Sequence, residues 1–320
     1  MKTLTRFVAS VVILGLFAAG CGKKQTEMMI FHADSLNLPM KALIEEFEKE
    51  HPNIKVEHES GGSVHMTRLV SDIRRRCDIL AAADYRVLDR LMLPEHADWQ
   101  LLFARNEMVL AYTGMSKGGD EITADNWYKI LLRPDIQYAH SDPNLDPSGF
   151  RTLLCWRLAS GFYKFDGDLY KALDDARDPR NVRPDANQII ALLEATGGID
   201  YLFTYKSVAE QHHLQYVQLP DKINLGNPEL RAHYAKAEIE VKDRKGHTTR
   251  WTGAPIAYGL TIPNTSRSPE AALLFVRFAL SDKGAKIMAA EYQPVITPAL
   301  RKGNNVPREL ISLTKPLEQP

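Results

Sequence analysis

The chain has no net charge: its 320 residues include 40 Lys and Arg against 40 Asp and Glu. That balance argues against nucleic acid as a partner, because phosphate backbones call for a concentrated basic patch. The nearest approach, Arg74-Arg75-Arg76, reads as the solvated end of a helix. Cysteine is scarce, with three residues in all, Cys21, Cys77 and Cys155. No C-x-x-C pair occurs, and His212 and His213 are adjacent, so on a helix they diverge instead of chelating; both facts argue against a metal site. Cys77 opens the apolar stretch "CDILAAAD" and Cys155 lies in the middle of the helical run "FRTLLCWRLASGFY", so buried free thiols are expected in place of the disulfide an oxidising compartment would permit. After the N-terminus no run reaches about 18 apolar residues, so no spanning helix is expected there. No internal repeat of fixed period is present. The length suits two modest domains, each with its own core.

The N-terminus is specific. Lys2 and Arg6 precede "FVASVVILGLFAA", an apolar run of roughly 13 residues, long enough for a signal-peptide core and too short to span. Ala18, Ala19 and Gly20 then lead into Cys21, which looks like a bacterial lipoprotein cleavage site. Residues 1–20 are expected to be removed, Cys21 to carry the lipid, and 21–27 to form a polar tether holding an exported protein to a membrane surface.

The remainder alternates strand and helix signals. "MMIFHA" is a buried strand, and "LPMKALIEEFEKEH" is an amphipathic helix with Leu43, Ile44 and Phe47 on one face. "IKVEHE", "CDILAAA" and "NEMVLAYT" read as strands, with the helix "HMTRLVSDIRRR" among them. Repeated β-α-β units of this kind predict a parallel sheet covered on both faces. The pattern restarts with a helix at "NWYKILLRP", a strand at "IQYAHS", a helix from Phe150 to Tyr163, a helix at "NQIIALLEATGG" and a strand at "IDYLFTY". After the short helix "KSVAEQHH" and strand "LQYVQL", segment 221–250 is polar and left unassigned. The strand "PIAYGLTIP" and two helices follow. If "NEMVLAYT" and "PIAYGLTI" both cross between two α/β lobes, a ligand would lie in the cleft where strand ends and helix starts converge.

Four strand-to-helix junctions carry anion-binding chemistry. Ser35 follows a strand in "FHADSLNLP". Ser63 follows Gly61 and Gly62 in "ESGGSVHM". Ser148 opens a helix in "DPSGFR", and the N–H groups near Asn187 face out of the helix start in "RPDANQII". Each alone is equally a capped turn; four of them, two per lobe, suggest a ring of neutral donors, each charge-assisted bond worth about 1.5–3 kcal/mol. Asp146 stands among the donors, where a carboxylate should repel an anion. It would accept from a protonated ligand, expel an unprotonated one, bind a central atom able to take extra oxygen donors, or make only an Asx-turn onto Ser148.

"FHADSL", "ESGGS", "CDILAAADYRV", "LFARNEMVLAYT", "DPSGFRTL", "IDYLFTYKSVAEQH", "LPDKINLG" and "PIAYGLTIP" together resemble the tungstate/molybdate-binding proteins of ABC importers, the archaeal-type branch in particular, over roughly residues 28 to 300. The resemblance implies an α/β, two-lobed type II periplasmic-binding-protein fold with two hinge strands. Lobe 1 would comprise 28–108 plus 258–310, lobe 2 would comprise 109–257, and 311–320 would be a C-terminal tail. It implies a monomeric, non-enzymatic carrier without a cofactor, which hands a tetrahedral oxyanion to a permease and its ATPase and touches the membrane only through its lipid. Carried onto this chain, the anion contacts are Ser35, Ser63, Ser148, Asn187 and Tyr205, with Asp146 as an oxygen ligand to the tungsten or molybdenum centre.

The chain departs from that pattern twice. A glutamate usual before the tyrosine is Thr204 here, a possible hydrogen-bond donor, and a usual glycine is Asp34. Two other readings remain. The same fold could hold sulfate, phosphate or a small carboxylate. An exported hydrolase would need Ser63 with His65, or Ser148 with Asp146, as its nucleophile, and neither serine sits in G-x-S-x-G.

Overall fold

A computed structural model describes residues 25–195, 198–242 and 246–318; the expected signal segment and the lipidation position, Cys21, lie outside them. β1 (Thr26–Ala33) starts inside the stretch expected to be tether. It is followed by α1 (Asn37–Glu50), β2 (Ile54–Gly61), α2 (Ser63–Ser71), β3 (Ile79–Ala82), α3 (Tyr85–Leu91) and β4 (Trp99–Arg105). β4 was not anticipated. Its residues are buried at every position but the last, so it carries no alternation to read. α1 packs its apolar face inward, with the Phe47 ring edge-on to Phe275 at 5.1 Å.

The chain then leaves this sheet through Asn106 and Glu107 and enters a second one: β5 (Met108–Tyr112), α4 (Trp127–Leu131), β6 (Tyr138–Ser141), α5 (Pro147–Phe162), α6 (Leu169–Ala176), β7 (Val182–Arg183), α7 (Ala186–Glu194), β8 (Tyr201–Tyr205), α8 (Lys206–Gln211) and β9 (Gln215–Gln218). The five strands lie in the order β7-β6-β8-β5-β9, over a core in which Trp127 and Trp156 both meet the Phe203 ring edge-on. Segment 221–250, left unassigned above, holds a two-stranded ribbon, β10 (Glu238–Lys242) and β11 (Thr248–Thr252). β10 alternates exposed charge with buried Ile239 and Val241.

Residues 253–256 carry the chain back to the first sheet at β12 (Ala257–Thr261), then β13 (Val295–Gly303) and β14 (Thr314–Pro316) complete it. Its order is β14-β13-β4-β12-β3-β1-β2. β14 pairs with β13, so the segment expected as a free tail contributes to the sheet. The predicted parallel arrangement holds for β1 with β2 and β3 but not throughout. β12 runs antiparallel to both β3 and β4, because it re-enters from the other lobe and so points the opposite way. The result is two α/β lobes joined by two short crossings. Cys77 and Cys155 are free and buried, and no helix among the described residues is long and apolar enough to cross a membrane.

Candidate functional site

The carboxyl ends of β1, β2 and β3 lie side by side, since His32 is in register with Ser60 and with Ala81. The turns that follow deliver Ser35, Ser63 and Asp84 to one edge of the first lobe. On the second lobe, β6 and β8 run parallel with Tyr138 beside Tyr201, which brings Ser141 level with Thr204. α5 starts just beyond. It begins at Pro147, three residues before the predicted Phe150, because Asp146 is an N-cap: its Oδ1 accepts the Ser148 N–H at 3.1 Å. Gly149 is required here, since a Cβ would stand 2.2 Å from the Ser141 carbonyl oxygen.

The two edges meet. The N–H groups of Val64 and His65 donate to the Leu145 carbonyl at 3.0 and 3.2 Å. The structure is therefore a closed one, and Ser35, Ser63, Asp146, Ser148, Thr204 and Tyr205 are all buried. Asn187 differs. It is exposed and lines a small pocket at the rim, of about 60 Å³, with Asp34, Ser35 and His212.

What the buried hydroxyls do with their hydrogens follows from their partners. The Ser63 oxygen accepts the Ala83 N–H at 2.9 Å, leaving its own hydrogen free. The Tyr205 oxygen accepts from Arg151 Nη1 at 2.6 Å, with the same consequence. Asn106 Oδ1 takes the N–H of Glu107 and of Ser207, so its Nδ2 is the donor to Tyr258 OH at 3.0 Å. Tyr258 OH and Ser35 Oγ share a hydrogen bond at 2.9 Å in which either can donate, so the pair together keeps one hydroxyl hydrogen free. Ser148 Oγ and Thr204 Oγ1 are buried without any protein partner. Burial keeps both phenols neutral, pushing Tyr258 up to about 12 and Tyr205 well above its ordinary value. A set of uncommitted O–H donors from both lobes has the chemistry to hold a small anion. It is a poor hydrolase: the Ser63 oxygen is occupied by a backbone N–H, and His65 is exposed.

The carboxylates show the strain of this burial. Asp34 is pushed up to about 7, by burial first and then by the Asp146 and Asp185 carboxylates, and its Oδ2 is buried without a partner. Burial also raises Asp146, to about 6, against the pull of the Ser148 N–H.

The expectation of neutral donors without fixed positive charge needs correction. Arg151, one turn into α5, is 1% exposed and lies against the donors. Its Nη2 pairs with Asp84 Oδ2 at 3.0 Å, so the charge is largely cancelled where it stands. Burial pushes Asp84 up, but the Arg86 and Arg151 guanidiniums outweigh it and hold the carboxyl down to about 2. Sequence reasoning missed Arg151, Asp84, Asn106 and Tyr258. All four lie within stretches quoted above, but nothing local separates a buried arginine from a solvated one.

The family described as "Bacterial extracellular solute-binding protein" matches residues 28–291. The chain is 44% identical to an uncharacterized solute-binding protein of Petrotoga mobilis over 90% of both chains. It is 38% identical to a molybdate/tungstate-binding protein of Pyrococcus abyssi over 95% of both. Among solved structures, the sulfate-binding protein of Mycobacterium tuberculosis superposes with a TM-score of 0.60 at 18% identity, covering 84% of this chain and 87% of that one. The periplasmic molybdate-binding protein of Azotobacter vinelandii does so with 0.55 at 15% identity, covering 83% and 98%. Both share the two-lobed fold.

Proposed function

This chain belongs to the bacterial extracellular solute-binding proteins, non-enzymatic components of transport, and from that premise we propose that its cargo is tungstate or molybdate, closed between the two lobes and released to an ABC permease driven by its ATPase. The observation that carries this reading is the set of uncommitted hydroxyl hydrogens on Ser63, Ser148, Tyr205 and the Ser35–Tyr258 pair, beside a carboxylate, Asp146. Donors of that number suit a doubly charged tetrahedral oxyanion, at about 1.5–3 kcal/mol for each charge-assisted bond. A carboxylate among them repels sulfate, whose sulfur takes no further oxygen. A six-valent tungsten or molybdenum centre accepts one. Asp146 spends one oxygen on the Ser148 N–H, and its other oxygen is the candidate ligand. Thr204, with its unpartnered hydroxyl, stands as a donor, and Asn187 contributes at the rim.

The N-terminal pattern supports a chain held to a membrane surface by acyl groups on Cys21.

Thermal melting against tungstate, molybdate, sulfate and phosphate tests the cargo. The first two are expected to raise the melting temperature progressively with concentration; equal or larger shifts with sulfate or phosphate overturn the assignment. Calorimetry on Asp146→Ala tests the carboxylate: tungstate affinity is expected to fall by about tenfold or more, with any residual sulfate binding changed far less. Equal losses would mean Asp146 serves the helix start alone.

A further inference from the structure

Arg151 has no place in a pocket built from neutral donors, yet it is buried and makes contacts in three directions. Nη1 donates to Tyr205 OH at 2.6 Å on its own lobe and to the Ala83 carbonyl at 2.9 Å on the opposite lobe. Nη2 pairs with Asp84, also on the opposite lobe, at 3.0 Å. Ala83 is itself engaged at its other end, where its N–H donates to Ser63 Oγ. A continuous chain of hydrogen bonds therefore runs Ser63–Ala83–Arg151–Tyr205. It begins at a candidate anion donor on one lobe and ends at a candidate anion donor on the other.

We propose that Arg151 is the positioning residue that couples anion capture to lobe closure: it bridges the lobes only when they are shut, and in that state it anchors the Tyr205 oxygen so that the phenolic hydrogen is aimed into the pocket. When the lobes part, the guanidinium loses Ala83 and Asp84 together and is left with Tyr205 alone. The planar fork matters, because Nη1 serves Tyr205 and Ala83 while Nη2 serves Asp84; an ammonium puts its three donors on one nitrogen and cannot occupy both positions. The Arg151–Asp84 pair also explains why the charge can be buried at all: each partner would be costly alone.

The inference rests on the reading of Tyr205 as an anion contact. Its test is a double-mutant cycle on the full mature chain, with tungstate as the probe. Affinity is measured by calorimetry and ligand-induced compaction by small-angle scattering, for wild type, Tyr205→Phe, Arg151→Met, and Tyr205→Phe with Arg151→Met. Arg151→Met is expected to lower affinity by about tenfold or more, as loss of charge-assisted bonds requires, and to reduce compaction. Tyr205→Phe is expected to cost several-fold in wild type and almost nothing further once Arg151 is gone. The same cycle is run with Arg151→Lys, which keeps the charge and carries the test should the methionine variant fail to fold; it is expected to behave like Arg151→Met. The coupling is overturned if Tyr205→Phe costs the same factor in every background, or if Arg151→Lys binds and compacts as wild type does. Wild type that binds no group-6 oxyanion overturns the functional reading itself, an outcome distinct from tight binding with additive losses.

Discussion

Asp34 lines the rim pocket with Ser35 and Asn187, beside the proposed anion site, and its carboxyl is raised to about 7 by burial and by the Asp146 and Asp185 carboxylates. A raised carboxyl is neutral below that value and charged above it. The sign for binding follows: the neutral acid tolerates an anion and the carboxylate opposes it, so tungstate affinity is expected to fall as pH rises through about 7. Tungstate itself stays deprotonated over that range, so the protein is the titrating partner. Asp34→Asn should flatten the profile in calorimetry on either side of pH 7; an unchanged profile would assign the dependence to another group. Thr204 makes a second case. Its hydroxyl is buried without a protein partner in the closed structure. Thr204→Val, of the same shape, is expected to leave the unliganded melting temperature unchanged, since the open cleft lets water reach the hydroxyl, and to weaken anion binding several-fold through the hydrogen bond lost. A loss of unliganded stability would show that the hydroxyl has a structural role.

At the scale of elements, the cleft is made by strand ends meeting a helix start, and one glycine sets how near they come. Gly62, ahead of α2, would carry a Cβ only 2.5 Å from the Leu145 carbonyl on the opposite lobe. Its φ of −57° suits any residue, so an alanine costs nothing until the lobes close. Gly62→Ala is therefore expected to leave the unliganded melting temperature unchanged and to lower affinity for every anion on the order of tenfold, the scale of overpacking a tight contact. Loss of unliganded stability would place the clash within one lobe. Elements also show how far local pattern reaches. α1, α5 and β8 were legible because periodicity is a property of neighbouring residues; α2 runs from Ser63 to Ser71, so the helix expected over 65–76 is five residues too long at its end and Arg74, Arg75 and Arg76 lie beyond it. β4 was not legible, since burial on both faces erases alternation. α5 was placed three residues late because its first turn, Pro147 to Gly149, contains no apolar periodicity, although Asp146-Pro147 is itself a helix-start signal.

Across the whole molecule, closure has a second clasp, beside the candidate donors rather than among them. Trp251 on β11 stacks on Phe150 of α5 at 4.0 Å and 9°, and its other side faces the Arg90 guanidinium of α3, also at 4.0 Å. Arg90 and Arg86 donate to the carbonyls of Arg250 and Thr252. The ribbon of the second lobe is thus held to a helix of the first by contacts outside the set of candidate anion donors. Trp251→Ala is expected to weaken tungstate and molybdate by the same factor, roughly tenfold for a cation–π contact of about 1–2 kcal/mol, and leave their ratio unchanged. A changed ratio would mean that Trp251 shapes the pocket directly.

The sequence by itself determined the alternation of strand and helix, the serines at strand ends and the balance of basic and acidic residues, because each is encoded in neighbouring residues or in composition. Only the tertiary structure decided that β12 runs against β3 and β4, that Asn187 faces solvent at the rim, and that Arg151 is buried on the Ala83 carbonyl, 68 residues away. The reason is physical. Whether a charge is solvated or buried depends on which distant groups arrive to pair with it, and that is set by how two lobes close rather than by the residues on either side.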